Sequence, residues 1–131
     1  MIQSETQLLV SDNSGANYVK CIRVINSNNK AIGLIGSLIL TRVIKKNHSK
    51  KIKKKSLYFG LIIMTKQYIS RMDGTLLKFS DNRIILFNKN HKFLDTRIYG
   101  PITKEIYFSL NKSIKLKQTY LQTITYADKI I

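Results

Sequence analysis

In residues 1–90 the apolar stretches are short, rich in β-branched residues and separated by turn formers. This pattern constrains the fold more than any other feature, because short strands joined by tight turns must fold back on their neighbours. Thr6 to Val10 is stopped by Asp12-Asn13-Ser14-Gly15. Tyr18 to Ile25 alternates, with Val19, Cys21 and Ile25 on one parity and Tyr18, Ile22 and Val24 on the other. Asn26 to Asn29 reads as a turn. Leu38 to Ile44 and Leu57 to Thr65 are longer strands flanking a lysine-rich loop. Arg71-Met72-Asp73-Gly74 is a hairpin turn, since Asp-Gly favours positive φ. Thr75 to Phe79 and Ile84 to Phe87 follow, joined by Ser80-Asp81-Asn82. Five or six such strands predict a small barrel or sandwich.

The last third changes character. Gly100-Pro101 reads as a break. Thr103 can cap a short helix from Lys104, with Ile106, Tyr107 and Leu110 as its partial apolar face. Ile114 to Lys117 fits strand or helix, and Tyr120 to Tyr126 is β-rich by propensity. The length of 131 residues suits one domain. A hydrophobic fraction of 44% and a mean hydropathy of −0.13 describe a globular chain.

Several classes are disfavoured. The longest apolar run, Ala31 to Leu40, is interrupted by Gly33, Gly36 and Ser37, whereas a membrane helix needs roughly 20 residues. The first 19 residues hold Glu5 and Asp12 and no Lys or Arg, unlike a mitochondrial presequence or a secretory signal. A single cysteine, Cys21, forms no internal disulfide and no Cys-rich zinc site. The seven acids sit mostly in turns, without a spacing that implies a shared site. His48 and His91 lie in polar loops, with no Cys or carboxylate at ligand spacing. Gly33 and Gly36 do not form a phosphate-binding glycine loop. The expectation is therefore no catalytic residue, no metal and no cofactor.

The charge is the positive signal. Lys and Arg number 23 against 7 Asp and Glu, a formal net charge of +16. Such an excess repels itself in a compact fold and calls for a polyanion, with nucleic acid first. Lys45, Lys46, Lys50, Lys51, Lys53, Lys54 and Lys55 concentrate it in one loop. Lys20, Arg23, Lys66, Arg71 and Arg97 flank turns. Lysine contacts position a protein on a phosphate backbone without reading sequence, which suits recognition of folded RNA by shape. Tyr58, Phe59, Phe79 and Phe87 fall in strands as core residues rather than as a stacking platform. Phosphate chemistry gives no reason to choose 18 Lys over 5 Arg. That choice, with 20 Ile and 10 Asn, points to an A/T-rich genome, either organellar or that of an A/T-rich bacterium or parasite.

Specific blocks resemble the universal large-subunit ribosomal protein L-fourteen family. The start matches in Met1-Ile2-Gln3, Thr6, Asp12-Asn13-Ser14-Gly15-Ala16, Cys21-Ile22 and Val24. The central pattern reads Gly60-Leu61-Ile62-Ile63, Asp73-Gly74, Phe79, Asn82 and Ile85-Leu86. A late block reads Thr96-Arg97-Ile98-Tyr99-Gly100-Pro101-Ile102, then Lys104-Glu105-Ile106. Tyr120 to Ala127 resembles the family's closing segment loosely. Departures include Gly36-Ser37 for Gly-Asp, Lys55-Ser56 for Gly-Asp, Met64-Thr65-Lys66 for Arg-Thr-Lys, and about nine extra residues between Ile106 and Tyr120.

The resemblance implies a mainly β protein: a small closed five-stranded β-barrel over residues 1–100, with a C-terminal extension of loops and short helices over 101–131 and an insertion near 108–119. It implies a structural constituent of the large ribosomal subunit that binds large-subunit rRNA and forms an intersubunit bridge with small-subunit rRNA. The expected RNA contacts are Asn13, Lys20, Arg23, Lys45, Lys46, Lys50, Lys51, Lys53, Lys54, Lys55, Lys66 and Arg71. The expected intersubunit or partner surface holds Thr96, Arg97, Lys112, Lys115 and Lys117. Implied partners are ribosomal proteins of the L-three and L-nineteen families and a ribosome silencing factor. The expected place is the mitochondrial matrix, with plastid and bacterial cytoplasm as alternatives. A free single-strand binder or RNA chaperone is the rival function and would want aromatics on an exposed strand face.

Overall fold

The computed structural model describes residues 1–25, 32–48, 51–109 and 114–131. Five strands close into a barrel: β1 (Gln7–Val10), β2 (Ala16–Val24), β3 (Leu38–Lys46), β4 (Leu57–Met64) and β7 (Arg83–Phe87), in the order β1-β2-β3-β4-β7. The ring closes where β1 runs parallel to β7, pairing Leu9 with Arg83 and Val10 with Ile84. The other neighbours are antiparallel. Closure removes the free edges that a short-stranded sheet would otherwise expose. The expected barrel is therefore present.

The two parities in β2 have a physical origin. Val19 and Cys21 face inward, and so does Val24. A register irregularity between Cys21 and Arg23 inserts a residue and switches the inward face. Gly60 lies in β4 where a side chain has no room: a Cβ there would stand 2.8 Å from Ile84 Cδ1 and 3.4 Å from Thr41 Cγ2. The interior contains Val19, Ile39, Val43, Ile62, Ile84 and Leu86. Asp12 is buried beside it and ties the β1–β2 turn to β7. One carboxylate oxygen accepts from the Ser14 amide and hydroxyl, the other from the Leu86 amide at 2.8 Å. Burial pushes its pKa up, against those hydrogen bonds.

A two-stranded hairpin, β5 (Ile69–Ser70) and β6 (Leu76–Leu77), stands between β4 and β7. Its turn is the expected Arg71–Gly74 turn, with Gly74 at φ 85° and Asp73 accepting from the Thr75 amide and hydroxyl. The strand expected over Thr75 to Phe79 reduces to Leu76–Leu77.

After the barrel come β8 (Ile98–Ile102), α1 (Glu105–Ser109), α2 (Ile114–Tyr126) and β9 (Ala127–Ile130), with β8 and β9 parallel; β8 straddles the expected 100/101 boundary, and these elements form the C-terminal extension. Two sequence readings are corrected here. Gly100-Pro101 is no break; it lies inside β8, where the pairing with β9 is irregular between Ile98 and Pro101 and Gly100 takes φ 87°. A bulge on a two-stranded edge tolerates a proline that donates no hydrogen bond. Tyr120 to Tyr126 is helix rather than strand. Thr119 and Thr123 are buried, and the Thr123 hydroxyl donates to the Thr119 carbonyl at 2.9 Å. Packing of that i, i+4 face overrides the β propensity.

The extension is seated on the barrel. Ile98, Ile102 and Ile106 share one apolar cluster with Leu38, Leu61, Ile63, Ile85 and Phe87. Asp12 bridges to Ile98, and the Tyr99 amide donates to the Ser11 carbonyl at 2.7 Å.

Candidate nucleic-acid interface

Strand directions gather the lysines. β3 ends, β4 begins and β7 ends at the same mouth of the barrel, because β3–β4 and β4–β7 are antiparallel. Lys45 and Lys46 finish β3, with Lys45 opposite Tyr18 and Lys46 opposite Ala16. Asn13 is exposed in the turn before β2, at the same mouth. Lys51, Lys53, Lys54 and Lys55 are exposed in the segment leading to β4. Ile52 is fully buried among them and anchors the loop in the core. Lys46 Nζ donates to the Ile52 carbonyl at 2.8 Å, so this lysine also shapes the loop. Lys55 holds φ 65°, and its amide donates to the Val43 carbonyl. The segment is thus tied to the barrel through Ile52, Lys46 and the Lys55 amide, while Lys53, Lys54 and Lys55 remain exposed.

An open groove of about 690 Å³ runs beside this loop, lined by Lys55, Ser56, Tyr58, Asn88, Lys89 and Asn90. Lys89 and its asparagine neighbours were missed at the sequence level. Their signal was the polar run Asn88 to Lys92, but its proximity to Lys55 follows only from the pairing of Phe59 with Phe87.

The remaining expected residues scatter. Lys20 pairs with Glu5 at 2.6 Å, and Arg23 is exposed on β2. Lys66 is exposed at the far mouth, where β4 ends. Lys51 pairs with Asp95 at 2.8 Å and holds that carboxyl below its usual range. Arg71 is turned inward. Its Nε donates to Glu105 at 2.7 Å, and an Nη donates to the second oxygen at 3.2 Å and to the Ile131 carbonyl at 2.8 Å. This bidentate pair lowers the Glu105 pKa. Thr96 and Arg97 are exposed just before β8, with Arg97 over the Tyr99 ring at 5.5 Å. Lys117 is exposed on α2. Lys50, Lys112 and the side chain of Lys115 lie outside the described residues.

Cys21 and the strand aromatics serve the interior to different degrees. Cys21 is fully buried, and burial raises its thiol to about 11, which leaves little thiolate near neutrality. Phe87 is buried, Tyr58, Phe59 and Phe79 are half-buried, and exposed Tyr68, Tyr99 and Tyr107 lie outside the five barrel strands. Cations, not aromatics, dominate the lysine-bearing mouth.

The family model for ribosomal protein L14p/L23e matches residues 1–121. The large ribosomal subunit protein uL14 of Carsonella ruddii (strain PV) is 45% identical over 106 residues, which is 81% of this chain and 87% of that relative.

Proposed function

The chain belongs to the ribosomal protein L14p/L23e family, a structural rather than a catalytic class, and from that premise we propose that it binds large-subunit rRNA through the lysine-bearing mouth of its barrel. The observation that carries the proposal is the gathering of Lys45, Lys53, Lys54, Lys55 and Lys89 at one mouth of the barrel, where Lys55 and Lys89 line an open groove. Phosphates in that groove would neutralise a concentration of charge that otherwise opposes folding. Asn13 supplies a hydrogen-bonding side chain at the same mouth. Lys20, Arg23 and Lys66 add peripheral contacts; Arg71 serves the extension instead, because its guanidinium is occupied by Glu105.

In this reading the exposed Thr96-Arg97 segment faces the small subunit. There it joins the rRNA bridge that the family resemblance implies, and there a silencing factor would dock. Lys117 on α2 extends the same surface, and neighbours of the L-three and L-nineteen families adjoin it. The A/T-coded composition fits a mitochondrial ribosome, with a plastid or bacterial one as the alternative. The deciding experiment is sedimentation of the tagged protein in a sucrose gradient of cell or organelle lysate. It should travel with the large subunit and with joined ribosomes. Recovery only in free fractions would overturn the proposal.

A further inference from the structure

A second cleft, of about 370 Å³, opens between the 88–92 turn and α2. That volume falls in the range of sites for small ligands, ~300–1,000 Å³. We propose that this cleft receives one unstacked RNA base, held by side-chain amides and by the His91 ring. The inference rests on the reading of the chain as an rRNA binder and names a place where it reads a base.

The lining has the required chemistry. Asn90, Gln118 and Gln122 each offer an amide donor and an acceptor, the complement of a base's hydrogen-bonding edge. Phe93 and Tyr126 form a wall, meeting edge to face with centroids 5.4 Å apart. His91 stacks on Phe59 at 5.1 Å, which fixes its ring plane. Its Nδ1 is buried without a hydrogen-bond partner among the described residues. His91 also holds φ 57°, a strained conformation for a residue with a side chain. Its amide donates to the Asn88 carbonyl, and its carbonyl accepts from the Thr119 hydroxyl of α2. The turn and the helix therefore hold the His91 backbone between them.

Two further observations favour RNA over a protein loop. Among the described residues lining the cleft none is acidic, and Lys92 stands at it. Thr96, from the segment assigned above to the small-subunit face, borders the cleft on one side, while Asn90 on the other also lines the lysine groove. A strand whose phosphates follow Lys55 and Lys89 thus arrives at the cleft with its next nucleotide.

The test uses the whole protein and two measurements. In NMR titrations with AMP, GMP, CMP, UMP and ribose 5-phosphate, the His91 ring and the Gln118 and Gln122 side-chain amides should shift with at least one nucleotide and not with ribose 5-phosphate. The double variant Gln118→Ala, Gln122→Ala should bind large-subunit rRNA roughly tenfold more weakly, as for loss of one stacked and hydrogen-bonded base, with an unchanged salt slope. Wild-type affinity in that variant, equal response to ribose 5-phosphate, or cross-linking of residue 122 to protein alone in assembled subunits would overturn the inference. A protein that fails to sediment with the large subunit would instead overturn the parent reading, whatever the nucleotides do.

Discussion

Arg71 and Glu105 carry opposite charges 34 residues apart, and each is about a fifth exposed. That separates them from Lys51–Asp95, whose lysine is 60% exposed and whose attraction water largely screens. The sign of the pH dependence follows from the lowered Glu105 pKa. The ionised carboxylate is favoured in the folded state, so its stabilisation is present above the ordinary carboxylate range and is lost as pH falls through the lowered value. Glu105→Gln should therefore melt at a lower temperature than wild type at pH 7. The gap should narrow as pH falls below about 4, read by thermal melts across pH. A constant gap from pH 7 to pH 3 would mean that the carboxylate's charge is not what the pair contributes. The sequence displayed Arg71 as a turn cation with no visible partner. Only the seating of α1 against the β5–β6 hairpin brings Glu105 to it, so its inward role could not be read in advance.

At the scale of elements, β4 decides whether the ring closes. It sits between β3 and β7, and at Gly60 an added Cβ would meet side chains of both, Ile84 Cδ1 at 2.8 Å and Thr41 Cγ2 at 3.4 Å. Gly60→Ala should destabilise the barrel by ~1–3 kcal/mol, the usual range for overpacking. Chemical denaturation would measure this, and the double variant Gly60→Ala, Ile84→Val should recover part of the loss by removing the Cδ1 in the way. The strands were legible because their period of two and their turn residues are local signals. The bulge at Cys21–Arg23 was visible only as two competing parities. Helix α2 was not legible, since Ile, Thr and Tyr dominate it and its helicity depends on burying Thr119 and Thr123 against the rest of the chain. Gly100-Pro101 misled for a related reason: a dipeptide that usually breaks structure is accommodated by an irregular parallel pair.

At the scale of the molecule, +16 must be distributed so that the barrel survives without RNA and binds with it. The fold does this by fastening the lysine loop through Ile52 and backbone hydrogen bonds while leaving Lys53, Lys54 and Lys55 exposed to water. The run itself was plain in the sequence. The groove it forms with Lys89 was not, because it needs the β4–β7 register. Within the run the lysines are unequal: Lys46 and Lys51 bond inside the chain, whereas Lys53, Lys54 and Lys55 are exposed. The informative variant is therefore Lys53→Ala, Lys54→Ala and Lys55→Asn, with asparagine at 55 because it tolerates the positive φ there. Its melting temperature should match or exceed wild type, since three mutually repelling charges are gone. Its affinity for large-subunit rRNA should fall, and the slope of log affinity against log salt should flatten by about 2 to 3, at 0.7–0.9 per lost phosphate contact. An unchanged slope would place these lysines in solvent and move the interface to another face. A melting temperature falling in step with affinity would make the loop a folding element rather than a binding one.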